Sequence, residues 1–96
     1  MEEARQTSLK EVLKDVVETY RLKNRLHQTK IQSAWHALMG SSISKHTTDL
    51  KIRKNKLFIT IESAPLRQEL SFGRDKIRRL LNQELGEEYL EDVIIR

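Results

Sequence analysis

The sequence has no cysteine, one proline and three glycines, and aromatic side chains make up only 5% of it. Each scarcity excludes something. Without cysteine there is no disulfide framework and no thiolate metal site, a usage that fits a reducing cytosol. The three glycines, Gly40, Gly73 and Gly86, stand far apart, so no glycine-rich phosphate loop with its lysine can form. No apolar run approaches the roughly 18 residues of a membrane span. The start, MEEARQTSLKEV, lacks the apolar centre of a signal peptide. A cytoplasmic protein without a membrane segment is expected.

Catalytic groupings are also missing. His27, His36 and His46 lack the spacing of metal ligands, and no serine lies in a Gly-x-Ser-x-Gly elbow. The chain of 96 residues is expected to form one domain, 1–96, with 1–7 frayed. A domain of this size buries only about 60–65% of the surface its unfolded chain exposes, which leaves little room for a deep pocket. No enzyme activity, cofactor, metal or small-molecule substrate is expected.

What is present is charge. Charged residues make up 33% of the chain, and 18 basic against 14 acidic side chains leave a net charge of +4. Such a balance raises the prospect of a polyanionic partner. The acids gather towards the ends, in Glu2-Glu3, Glu11 to Glu18 and Glu84 to Asp92, whereas Arg21 to Arg79 is the basic middle.

Periodicity orders the rest. Ser8 with Glu11 fits a capping box. Leu9, Val12, Leu13, Val16, Val17 and Tyr20 then recur at i, i+3, i+4, i+7, i+8 and i+11, the spacing of a helix with one buried face. That helix is expected to end near Leu22, with Lys23 to His27 as a connection. A second helix, Gln28 to Met39, carries Ile31, Ala34, Trp35 and Leu38 and stops at Gly40. Trp35 falls in the apolar stripe and reads as core. Ile43 can anchor one further helical turn across Ser41 to His46.

Thr47 to Arg53 and Lys56 to Glu62 alternate as strands, joined through Lys54-Asn55, where Asn55 tolerates positive φ. Pro65 suits the first turn of a third helix. Its expected buried face is Leu66, Leu70, Ile77, Leu80, Leu81 and Leu85. Gly73 falls on that face, which suggests close packing, with Trp35 as the candidate neighbour. Gly86 ends the helix, and Tyr89 to Arg96 supply a last strand whose neighbour the pattern leaves open. The expected fold is α+β, in the order α-α-β-β-α-β, a small three-stranded sheet covered by helices on one face.

Two basic surfaces emerge. The first is the hairpin: Lys51, Arg53, Lys54 and Lys56, preceded by Lys45 and His46. Its bland reading is a solvated strand edge, since lysines there prevent aggregation; the sharper one is phosphate contact. The second is the outer side of the third helix, where Arg67, Arg74 and Arg78 share one stripe and Phe72, Lys76 and Arg79 another. An aromatic ring beside cations can stack on an unpaired base, unless Phe72 packs into the domain edge. His46 reads as a turn-stabilising side chain or a phosphate contact.

The Trp35…Gly40 spacing, Ile43, His46-Thr47, the two short strands and Leu66-Arg67-Gln68-Glu69-Leu70 resemble the small bacterial DciA-like proteins, over nearly the whole chain. The resemblance implies a KH-like fold, nucleic-acid binding and a part in loading the replicative helicase. It makes single-stranded nucleic acid, above all DNA, and the helicase the expected partners. The KH clamp, a Gly-x-x-Gly loop between two helices, is absent. Longer members continue in a basic or disordered extension beyond the point where this sequence ends. The alternative is an adaptor whose basic surface docks an acidic protein.

Overall fold

The computed structural model describes the backbone from Glu2 to Arg96 and the side chains from Ser8 onward; the expectation of a frayed 1–7 lies outside the described residues. Seven elements follow in chain order: α1 (Glu2–Met39), α2 (Ser41–Ser44), β1 (Thr47–Arg53), β2 (Lys56–Ile61), α3 (Ala64–Ser71), α4 (Arg74–Leu85) and β3 (Asp92–Ile95). The class is α+β, with a mixed sheet in the order β1-β2-β3.

The hairpin forms as its pattern requires. β1 and β2 pair antiparallel, with Leu50 opposite Ile59 and Ile52 opposite Leu57. Lys54 (φ 50°) and Asn55 (φ 62°) are both left-handed, the type I′ geometry that matches the twist of two strands joined by two residues. β3 adds parallel to β2, with Leu57 beside Val93 and Ile59 beside Ile95. β2 is therefore central. Leu50, Ile52, Leu57, Ile59, Ile61 and Val93 are buried on one sheet face and meet Ile31, Trp35, Ile77, Leu81 and Leu85 of the helices. The other face holds Lys51, Phe58 and Ile94 side by side, and none of the three is buried.

The first difference from the sequence reading is α1. One unbroken helix replaces two helices and a connection, and Ser8 stands inside it rather than at a cap. The cause lies in the residues read as a connection. Asn24 and Gln28 sit on the face that continues Tyr20 and precedes Ile31 and Trp35, and their partners are backbone groups of β1. The Asn24 amide donates to the Ile52 carbonyl at 3.1 Å, the Ile52 N–H donates to Gln28 Oε1 at 2.8 Å, and Gln32 donates to the Leu50 carbonyl at 3.1 Å. A helix face that meets the sheet through amides leaves no hydrophobic signature.

Tyr89 fixes the same stretch from the other side. Its hydroxyl donates to Asn24 Oδ1 at 3.0 Å, its ring meets His27 edge-on at 4.6 Å, and Lys23 reaches Glu87 at 2.6 Å. Trp35 ties the far end. Its Nε1 donates to Thr47 Oγ1 at 2.9 Å, and that hydroxyl donates to the Ile43 carbonyl at 2.8 Å. One ring thus joins α1, α2 and β1.

The second difference is a break in the third helix. Ser63 accepts from the Leu66 N–H and Pro65 lies in the first turn, as expected. The helix then ends at Ser71, and α4 restarts with Gly73 as its N-cap residue. Gly73 is not pressed against Trp35: a Cβ there would meet only the Leu70 carbonyl oxygen, at 3.8 Å. Within α4, Ile77, Leu81 and Leu85 at i, i+4 and i+8 are buried, whereas Leu80, expected on the same face, lies at its rim and is 37% exposed. Asn82, fully buried, exchanges two bonds with the Leu90 backbone at 2.8 and 3.0 Å and so leads the chain into β3.

Gln28→Ala should cost about 1–2 kcal/mol, because it leaves the Ile52 N–H without its acceptor; urea denaturation measures this. Gly73→Ala should change stability by less than about 1 kcal/mol, since the added methyl meets only ordinary contact; a melting temperature within a few degrees of the parent is the expected reading. Burial, then the Tyr20 hydroxyl nearby, pushes the Tyr89 phenol up to about 12. The unfolded phenol ionises near pH 10, so stability should fall from about pH 10 towards 12. Tyr89→Phe should flatten that limb in melts taken across this range.

Candidate nucleic-acid interface

The cations divide by what they touch. Arg67 is half-buried, and its guanidinium donates to the Ile61 carbonyl at 2.5 Å, tying α3 to the end of β2. Arg78 is also half-buried and pairs with Asp75 at 3.0 Å and Glu88 at 3.4 Å. Those partners, the Asp75 hydrogen bond first, raise its pKa above the ordinary arginine value. Arg79 pairs with the other oxygen of Asp75 at 3.2 Å, and Lys51 reaches Asp49 at 3.7 Å. The stripe of arginines expected on the third helix is therefore largely engaged by the protein itself.

A second group has no acidic partner within salt-bridge distance among the described residues: Lys45, Arg53, Lys54, Lys56, Arg74 and Lys76. All are exposed. Lys54 and Lys56 flank Asn55 at the hairpin tip, and Arg53 opposes Lys56 across the strands. The outer edge of β1 beside them is covered by the amides of α1, so protection of that edge does not account for these charges. His46 is half-buried, and its carbonyl accepts from the Glu62 N–H at 2.9 Å; its backbone closes the sheet end.

Phe72 does not pack into the domain edge. It is 85% exposed, the most exposed large apolar side chain described, and it stands at the α3–α4 junction directly before Gly73. Phe72, Arg74, Ser71, Glu91 and Asp92 line one open recess. Asp92 is also the sheet neighbour of Lys56. An acidic rim, Glu91 and Asp92, thus lies between the hairpin cations and the junction, so the two basic surfaces do not merge.

The sequence reading missed a third grouping. On the open sheet face Phe58 lies between Lys51 and Ile94, and the Arg96 guanidinium stacks over its ring at 4.8 Å. The alternation in β2 pointed Phe58 away from the core. Its meeting with Ile94 and Arg96, however, depends on parallel pairing with β3, which no local pattern announces. No group of three or more metal-binding side chains occurs among the described residues, and no described helix is long and apolar enough to cross a membrane.

Arg67→Ala should cost about 1–2 kcal/mol, because the Ile61 carbonyl loses its charged donor. Arg53→Ala and Lys54→Ala should stay within about 0.5 kcal/mol of the parent. Denaturant midpoints of the three variants make the comparison.

No match was found among curated proteins or among solved structures. The family model described as "Dna[CI] antecedent, DciA" matches residues 8–95, a span that takes in the described part of α1, the hairpin, the helix junction and β3. The chain belongs to the DciA family, a helicase-loader-type accessory family of DNA replication.

Proposed function

We propose that this protein is a non-enzymatic accessory factor of DNA replication that binds single-stranded DNA and meets the replicative helicase. The observation that carries the nucleic-acid part is the exposed Phe72 at the α3–α4 junction, next to Arg74 and Lys76, which have no acidic partner within salt-bridge distance among the described residues. An apolar ring held in solvent costs hydration without any return inside the fold. Stacking on an unpaired base supplies that return, and the nearby cations hold phosphate.

The break after Ser71 strengthens this reading. With two helices between β2 and β3, the order becomes α-β-β-α-α-β around the short α2 turn. KH domains clamp a nucleic-acid backbone at a helix–helix junction. Here the corresponding junction reads Ser71-Phe72-Gly73-Arg74, so stacking and charge would replace the glycine-rich backbone approach. Arg53, Lys54 and Lys56, with Lys45 further along, form a separate phosphate-holding surface at the hairpin. Lys51, Arg67, Arg78 and Arg79 contribute background potential, because each is already engaged. His46 acts chiefly through its backbone.

Fluorescence anisotropy with a labelled single-stranded oligonucleotide tests the reading. Affinity should fall steeply with salt, with a slope reflecting roughly three to six phosphate contacts. Phe72→Ala should weaken binding by about 5- to 150-fold, the range for one lost base stack, with no change in melting temperature. Joint reversal of Arg53, Lys54 and Lys56 to Glu should flatten the salt slope. Undetectable binding at low salt, together with recovery of the helicase in a pull-down, would leave the adaptor reading in its place.

A further inference from the structure

Helix α1 outruns the fold that it helps to build. At about 1.5 Å per residue its 38 residues span about 57 Å, and the molecule measures 61 × 21 × 20 Å. The sheet and the other helices occupy the C-terminal half of α1. Near the middle of α1, the Tyr20 hydroxyl donates to Asn55 Oδ1 at the hairpin tip at 2.7 Å. Beyond it the helix overhangs. The face that carries Asn24, Gln28, Ile31 and Trp35 onto the sheet continues without interruption as Tyr20, Val17, Val16, Leu13 and Leu9, joined by Val12. These side chains are between 41% and 61% exposed. An apolar stripe this regular, in phase with the core but past its end, is a buried face that lacks its cover.

We infer that a second copy of this chain covers it, with the two overhangs packed antiparallel about a two-fold axis near positions 14 and 15. Three observations select that occupant. Reversal about this axis maps the stripe onto itself: Leu9 falls beside the partner's Tyr20, Val12 beside the partner's Val17 and Leu13 beside the partner's Val16. An isologous contact requires such self-complementarity. The charges agree. Glu11, Asp15 and Glu18 fall away from the stripe, and the cations on its flank, Lys10 and Arg21, come level with the uncharged positions 19 and 8 of the second copy, so no like charges meet at the seam. The area is of the right order: side chains of this size at these exposures present on the order of 600 Å² per copy, so a pair that covered all of it would remove about 1,200 Å², the lower bound for a stable specific interface. The pairing would carry two Phe72 junctions and two basic hairpins on one rod-like particle. It does not depend on the nucleic-acid reading.

The full chain tests the inference. Sedimentation velocity across a concentration series up to a few hundred micromolar should show a reversible shift from one chain to two. Val16→Asp should abolish the shift, while Val17→Ala should weaken association by about tenfold or more. The emission of Trp35, buried between α1 and the sheet, checks that the sheet domain of each variant is intact. Because the chain has no cysteine, Leu26→Cys gives a unique spin-label site outside the stripe. Antiparallel pairing places the two copies of position 26 about 35 Å apart along the helix axis, and a single pulsed-dipolar distance of at least that length is expected. A single-chain mass at every concentration would overturn the inference, as would a two-chain mass that survives Val16→Asp. A label distance under about 20 Å, the signature of parallel helices, would overturn the antiparallel arrangement.

Discussion

The structure depends on how α1 closes the open edge of a three-stranded sheet. β1 is an edge strand, and its outward N–H and C=O groups would otherwise be left to water or to another chain. Asn24, Gln28 and Gln32, spaced four apart, present their amides along that edge and satisfy the Ile52 N–H, the Ile52 carbonyl and the Leu50 carbonyl. A helix face of amides thereby does what a fourth strand would do. The consequence runs in both directions. The edge is capped, and the helix is held rigid through a stretch of polar residues that has no apolar packing of its own.

From that constraint the placement of the other parts follows. With the β1 edge closed by α1 and the β3 side joined to the helices through Asn82 and Leu90, the apolar core lies on a single sheet face. The opposite face and the hairpin tip are left outward. Charges near structural joints are spent there: Arg67 on the Ile61 carbonyl, Arg78 and Arg79 on Asp75. Charges remote from joints, those of the hairpin tip and the helix junction as well as Arg21, Arg25 and Lys30 along α1, have no acidic partner within salt-bridge distance among the described residues. The hairpin tip and the helix junction are thus two separate basic sites, and an aromatic ring that is 85% exposed belongs to one of them.

The rigid α1 also sets the scale of the molecule. Because the helix is pinned from Tyr20 to Trp35, its N-terminal half projects in a fixed direction from the hairpin tip. An apolar stripe on that projection and cations at its base lie on one shaft. Association through the stripe and contact with a polyanion at the hairpin would therefore be geometrically linked, since the Tyr20–Asn55 hydrogen bond ties the hairpin tip to the helix.

Much was readable from the residues alone. The hairpin limits, its Lys54-Asn55 turn, the start of α3 at Ser63-Ala64-Pro65, the helix stops at Gly40 and Gly86, the buried Trp35 and the DciA resemblance all rest on local chemistry: alternation, turn propensity, capping and spacing. The cations and Phe72 were visible as candidates for the same reason, as charges and a ring set apart from the apolar stripes. What the sequence could not settle was which of them the fold would use. Arg67 and Arg74 look alike on a helical wheel; only the position of the Ile61 carbonyl separates a structural arginine from an uncommitted one. Nor could it show that Asn24 and Gln28 face β1, because hydrophobic periodicity is blind to amides that bond a strand's backbone, or that the stripe from Leu9 to Tyr20 lies past the end of the core. The sequence by itself determined the local elements and the composition of the surface. The tertiary structure decided the continuity of α1, the parallel seat of β3 and the exposure of Phe72, because each depends on partners distant in the chain.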